Sequence, residues 1–250
     1  MGAKTALLAF TEGDLRPALW GAVRSDPAEV IDLVRELHPG YEVTPIGEGS
    51  LGDHSYPPDD TSYATVLAGA ELFCDLRLVC DLPSQLPAGL LRAGAGRRII
   101  MHGMHSASEW LCFAVWENGE LVRSLSLSPD AGIGENIGEP YDFELPYWAG
   151  EHPVEPMFSE DPYPLPFHPL DLGEQALRAL FGFILEGRPD PDDIDPFDIH
   201  LHGFRVTDPT GREQAEREAR MEQILQSMKP PRRYRMMPDG TLRELGDDEI

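Results

Sequence analysis

Residues 110–128 carry the clearest pattern in the chain: two alternating apolar runs, WLCFAVWE and ELVRSLSLS, joined at Asn118-Gly119. An Asn-Gly pair between such runs is the strongest short-range signal for a two-residue hairpin. Uninterrupted pairing sets Glu117 opposite Glu120, Trp116 opposite Leu121, Cys112 opposite Leu125 and Trp110 opposite Leu127. One face then carries Trp110, Cys112, Ala114, Trp116, Leu121, Arg123, Leu125 and Leu127. The other carries Leu111, Phe113, Val115, Val122, Ser124, Ser126 and Ser128. Both faces are mainly apolar, as expected of strands covered on two sides. With a strand over 97–105 and a tight link at 106–108, residues 97–128 predict a three-stranded meander.

Elsewhere the pattern alternates between strand and helix periods. Residues 6–10 read as a short buried strand. Asp26-Pro27-Ala28-Glu29 puts an N-cap, a proline at the first helical position and a capping-box glutamate in order. Val30, Ile31, Val34 and Leu37 continue that helix as one stripe until Pro39-Gly40. A strand over 41–46 follows, so the chain opens β-α-β, its two strands either adjacent or separated by others. Further strands are expected at 63–67, 71–82, 141–145 and 199–206, a short helix at 84–92, and loops at 47–60 and 132–138. In 71–82, Leu72, Cys74, Leu76, Leu78, Cys80 and Leu82 share one face, and Glu71, Asp75, Arg77 and Asp81 dominate the other. This predicts a half-buried strand.

Asp171-Leu172-Gly173-Glu174 resembles a second capping box, opening a helix over 172–186 that Gly187 ends. Eight prolines between 140 and 169 exclude helix and central strand there. The interleaved Tyr147, Trp148, Phe158, Tyr163 and Phe167 make that stretch a packed arm, since free linkers are poor in aromatics. Residues 211–228 predict a mostly charged helix with Met221, Ile224, Leu225 and Met228 as a narrow stripe. The expected fold is α+β, a single compact domain over 1–206. Its mixed or mainly antiparallel sheet carries the meander at its centre, is covered by the helices at 27–37 and 172–186, and bears the proline-rich arm. A C-terminal helix and tail follow over 207–250.

Charge narrows the partners. The net charge is −24, and residues 101–200 hold twenty Asp and Glu against three Arg, which is −17 of it. Such a surface repels phosphate backbones and anionic lipid, so neither nucleic acid nor membrane is an expected partner. Three cysteines without paired spacing suit a reducing compartment, and a cytoplasmic location is expected.

Candidate chemistry is sparse. His200 and His202, two apart on a strand, share a face; His102 and His105, three apart, point to opposite faces. A metal needs three or four converging ligands, so separate structural histidines are the favoured reading and no cofactor is expected. Zinc belongs only to an alternative, a metal-assisted hydrolase built from His102, His105, His200 and His202. The run Asp190, Asp192, Asp193, Asp195, Asp198 lacks the glycine and terminal glutamate of an EF-hand loop and reads as solvated or capping carboxylates. Cys74, Cys80 and Cys112 fall on the apolar faces assigned above.

A ligand, if one binds, is expected at the meander. There Arg123 lies between Trp110 and Trp116, with Ser124 and Ser126 on the opposite face and His102 on the neighbouring strand. Structural stacking of the guanidinium on the indoles is the favoured account of Arg123. The functional expectation is a non-catalytic cytoplasmic binding or interaction protein with an unidentified protein or small-molecule partner. The alternatives are the metal-assisted hydrolase and an acidic, partner-dependent regulator.

Several stretches, among them MGAKTALLAF, LRAGAGRRIIMHGMHSASEW, FAVWENGELVRSLSLSPD, GEPYDFELPYWAGEHPVEP and YPLPFHPLDLGEQALRALFGFILEGRPDPDD, follow one another in a familiar order. In this the chain resembles a family of uncharacterised, mostly actinobacterial proteins. The resemblance covers most of residues 1–206 and implies a shared fold without implying an activity.

Overall fold

The computed structural model describes residues 2–154, 162–227, 234–236 and 242–244. Phe158 of the arm, Met228 and the Ile224 side chain of the last stripe lie outside the described residues. The chain begins with β1 (Lys4–Thr11), α1 (Arg16–Trp20), α2 (Pro27–Leu37), β2 (Glu42–Ser50) and α3 (Leu51–His54). It continues through β3 (Thr61–Leu67), β4 (Ala70–Asp75), α4 (Ala88–Ala93), β5 (Arg98–His105), β6 (Trp110–Glu117) and β7 (Glu120–Ser128). Then come β8 (Gly132–Ile137), α5 (Leu145–Trp148), α6 (Pro169–Phe181), β9 (His200–Thr207) and α7 (Arg212–Ser227), with short strands β10 (Tyr234–Met236) and β11 (Leu242–Glu244).

Contacts divide the chain into a unit over 1–207 and a second over 208–250. The second holds α7 and the β10–β11 ribbon. The first is built on one nine-stranded sheet, order β2-β9-β3-β4-β1-β5-β6-β7-β8, whose pairings are antiparallel. The α+β class is therefore correct; the meander β5-β6-β7 is present but lies off-centre beside the β8 edge, because β1 takes the middle position. Strands β1 and β2 run parallel with β4, β3 and β9 between them. Strand β2 forms one edge, with Pro45 in it and a register break between Pro45 and Gly47. No described helix is long and apolar enough to cross a membrane.

Both sheet faces are buried. On one, α6 lays Leu172, Ala176, Leu177, Leu180 and Phe181 against Leu7, Met104, Leu111 and Phe113. On the other, α2 sets Val30, Leu33, Val34 and Leu37 near Leu8, Phe10 and Phe73. Helix α2 starts as its sequence demands: the Asp26 carboxylate accepts from Ala28 N at 2.8 Å, and Pro27 fills the first turn. The packed arm is confirmed where it is described, since Tyr147 and Phe167 belong to the α6-side core.

The hairpin departs from uninterrupted pairing. Trp116 faces Leu121 and Glu117 faces Glu120, but Val115 faces Arg123 and Cys112 faces Ser126. Val122 is thus an extra residue, a β-bulge, and beyond it every β7 side chain changes face. Arg123, Leu125 and Leu127 join Phe113 on the α6 side, whereas Ser124 and Ser126 lie with Cys112 and Ala114 on the other. Gly138, at φ +82°, crosses the bulge so closely that a Cβ there would stand 1.9 Å from the Val122 carbonyl oxygen.

Other boundaries moved for local reasons. The strand expected over 71–82 ends at Asp75, whose carboxylate accepts from Arg77 N and starts a 3-10 turn over Leu76–Leu78. The 132–138 loop is an edge strand, because β7 offers its free backbone to residues 132–137. The strand expected at 141–145 is instead a turn leading into α5, with Glu144 accepting from Tyr141 N at 2.9 Å. Helix α6 begins at Pro169 under a His168 cap and stops at Gly182, φ +87°, so Asp171 is not its cap and Gly187 not its end.

Gly138→Ala should lower stability by more than about 1 kcal/mol, because the new Cβ meets backbone at a left-handed φ. Urea unfolding measures it; a wild-type midpoint would mean that β8 does not close over the bulge as described.

Candidate functional site

The bulge decides what Arg123 can do. It is fully buried, and so is Glu144, which approaches from the turn before α5. Nε donates to Glu144 Oε1 at 2.9 Å and Nη2 to Oε2 at 2.6 Å, a bidentate pair. Nη1 donates to Asn136 Oδ1 at 2.7 Å and to the Ile137 carbonyl at 2.9 Å. Glu144 accepts in addition from Trp148 Nε1 at 3.3 Å. The guanidinium therefore ties β7, β8 and α5 together beside the Phe113 ring, 5.9 Å away. It does not stand between Trp110 and Trp116: those indoles occupy the opposite layer, Trp116 buried and Trp110 half-buried over Gly103. Ser124 donates to Glu135, which also accepts from Ser84 N at 3.0 Å; Ser126 lies nearby beside Gly134. The six residues grouped at the meander from sequence are thus shared between two layers.

The histidines separate likewise. His102 is fully buried between sheet and α6. A carbonyl only accepts, so Nε2–H donates to Gly173 O at 3.1 Å, and Nδ1 accepts from the Thr5 hydroxyl at 2.8 Å. Burial pushes the imidazole down to about 3, against the Gly173 bond. It is a neutral strut. Gly173 allows the approach, since a Cβ there would stand 2.7 Å from Met104 Sδ. His105, at the strand end opposite Lys4, lies edge-on to Tyr56 and is held low by burial and by that lysine.

His200 and His202 do share a face, their rings 4.8 Å apart. Glu48 on β2 approaches both, 3.2 Å from His200 Nε2 and 3.9 Å from His202 Nδ1. Arg24 pairs with the same Glu48 oxygen that His200 approaches, and His202 Nε2 donates to Ser25 O at 3.0 Å. Among the described residues, no group of three or more His, Cys, Asp or Glu is arranged to hold a metal ion. In the acidic run, Asp195 caps a 3-10 turn and Asp193 pairs with Arg178 at 3.0 Å, so two of those carboxylates are structural.

Residues 182–195 form an irregular strap between α6 and β9. Three clefts border it. One of about 560 Å³ lies among Asp14, Arg16, Arg178, Asp190 and Asp193. Another, about 430 Å³, is lined by Tyr147, His152, Asp171, Glu174, Arg178 and Arg188. Gln175 and Arg178 line both. The third, about 560 Å³, holds Lys4, Asp53, Tyr56, Ser106 and Glu186.

Helix α6 grips the strap with two residues one turn apart. Glu174 accepts from Leu185 N at 2.8 Å and Glu186 N at 3.1 Å. Arg178 binds Asp193 through Nε and Nη2 and donates to Arg188 O at 3.2 Å. Burial pushes the Glu174 carboxyl up to about 7, although both amide bonds favour its charged form. A carboxyl titrating near neutrality beside a cleft is a recognised mark of a functional site. Tyr147 stacks on His152 at 4.2 Å, and burial pushes its hydroxyl up to about 12. Sequence reasoning missed Glu174 and Arg178 as site residues. Their i, i+4 spacing was the available signal, but what they hold is fixed by packing distant in sequence.

Residues 5–204, from β1 into β9, match the model of a family described as Family of unknown function (DUF6928). The chain belongs to this family. Neither a curated protein nor a solved structure matches it. The match reaches every strand of the nine-stranded sheet, ending within β9, and includes the whole strap.

Arg123→Met strands a buried carboxylate and should cost about 3–5 kcal/mol. Combining it with Glu144→Gln should cost less than the two single changes together; strict additivity in urea unfolding would refute the pairing. For Glu174 the native carboxyl binds its proton more tightly than the unfolded chain. Its contribution is therefore present below about 4.5 and lost as pH rises through about 7. Glu174→Gln, which cannot ionise, should gain stability relative to wild type between pH 5 and pH 8. A difference independent of pH would show that burial does not govern this group.

Proposed function

We propose that this protein is a non-catalytic binding protein that takes a small polar molecule in the clefts along the strap. The observation that carries this reading is how the fold divides its polar chemistry. Arg123 and His102 are turned inward and engaged by internal partners, so they serve the architecture. Glu174, Arg178, His152 and Arg188 border open space of the volume small ligands occupy. The stacked Tyr147 and His152 supply a flat wall, and side chains of both signs stand around it. A planar molecule bearing a charged group suits that wall. Three free cysteines support a reducing, cytoplasmic setting. The −17 carried by residues 101–200 disfavours nucleic acid or anionic membrane as the partner.

Metal-assisted hydrolysis has the approach of Glu48 to His200 and to His202 in its favour. Against it stand the Arg24 ion pair and an arrangement that, among the described residues, brings no three ligands together for a metal. Stoichiometric metal in purified protein, lost on replacing both histidines, would reverse the order of the two readings.

A thermal-shift panel of nucleosides, aromatic amino acids and sugar phosphates tests the binding reading. At one hundred times Kd a bound compound stabilises by about 2.7 kcal/mol. At least one class should raise the melting temperature and be recovered chemically unchanged. The same class should fail with Gln175→Trp, whose indole fills the partition between two clefts. A compound that stabilises this variant equally binds elsewhere, and one that is converted makes the protein an enzyme.

A further inference from the structure

Two thiols meet beneath an irregular stretch of chain on the α2 side of the sheet. Cys112 is fully buried on β6, beside its cross-strand neighbour Ser126. Cys80 is half-buried against the same apolar cluster, flanked by exposed Val79 and Asp81. Packing fixes this stretch over β6–β8: a Cβ on Gly134 would stand 3.8 Å from both the Asp81 carbonyl oxygen and Ser126 Oγ. Ser84 N, further along, donates to Glu135 on β8 at 3.0 Å. The Cys112 thiol donates to the Cys80 sulfur, which holds Cys80 below the usual thiol range against burial and the nearby Asp81 and Glu135 carboxylates. Burial pushes Cys112 well above that range. Cys74 faces the other layer, among the α6-side core residues. A half-buried thiol at the surface of the cluster beside a fully buried one is the arrangement that favours oxidation at the first and resolution by the second.

We propose that Cys80 and Cys112 form a dithiol site that hydroperoxides oxidise to an intramolecular disulfide. The Cys80 sulfur attacks the peroxide; an S–O bond forms as the O–O bond breaks. The leaving oxygen departs with the Cys80 proton as water or alcohol, and a sulfenic acid remains. The Cys112 sulfur then attacks the Cys80 sulfur, forming S–S as S–O breaks, and the hydroxide takes the Cys112 proton as a second water. The two thiols give up two electrons, which reduce the peroxide. The new bond fastens the 79–82 stretch to β6.

The test treats the reduced full chain with stoichiometric hydrogen peroxide. Its intact mass should fall by two hydrogens, proteolytic mapping should join the Cys80 and Cys112 peptides, and dithiothreitol should reverse both changes. Cys112→Ser, which keeps a donor to the Cys80 sulfur but cannot form the bridge, should stop at a Cys80 sulfenic acid trapped by dimedone, and Cys80→Ser should leave Cys112 unmodified, with circular dichroism reporting the fold of each. Should Cys112→Ser fail to fold, the wild-type peptide map decides alone. A bridge through Cys74, a link only between chains, or Cys80 unreacted while an unfolded control is oxidised overturns the proposal.

Discussion

Arg123 and Glu144 form an ion pair wholly removed from water, and such a pair persists only when geometry and further hydrogen bonds offset the desolvation of both charges. Here the two carboxylate oxygens meet the guanidinium in register, and the remaining donors reach Asn136 and the Ile137 carbonyl. Three consecutive elements depend on this one contact: the last inner strand, the edge strand and the turn that launches α5. The pair exists because Val122 is one residue too many for its partner strand. Were Val122 paired with Val115 and not bulged out, the guanidinium would face the tryptophans and leave Glu144 without its cation.

The same economy of placement runs through α6. Its apolar side packs on the sheet, His102 is bonded to its Gly173 carbonyl, and its outer side holds the strap through Glu174 and Arg178. One helix thus joins the core to the surface on which the clefts open. A ligand displacing the strap would act directly on a helix whose other side is fastened to the centre of the sheet. Glu174 adds a chemical coupling, because its carboxyl changes charge near neutrality while holding two strap amides.

Local signals that stand close together in sequence were legible. Asp26 and Pro27 start α2 as read, Asn118-Gly119 turns the hairpin, and the alternation at 199–206 is β9. The burial of both faces of the meander followed from its double apolar pattern, and the core clusters bear that out. What failed was decided by contacts far along the chain. A bulge leaves no mark in an alternating run, so Arg123 was set on the wrong layer. Residues 132–137 form a strand only because β7 lies beside them, and glycines made them look like a loop. Asp75 was counted on a polar face, yet it is fully buried, with Ser62, Arg77 and His38 around it. The clefts escaped for the same reason: Asp193 lies fifteen residues beyond Arg178 and reaches it only through the path of the strap.

The β2 edge bears on how this molecule behaves in a crowd. An open sheet presents an outer row of backbone groups onto which a neighbouring chain can add a strand, and long flat edges seed fibrils by that route. On β2, Pro45 supplies no N–H and the break before Gly47 bends the ladder, so the template is interrupted near its middle. Polymerisation by strand addition at that side would start from a damaged lattice, and the built-in irregularity acts as insurance against aggregation.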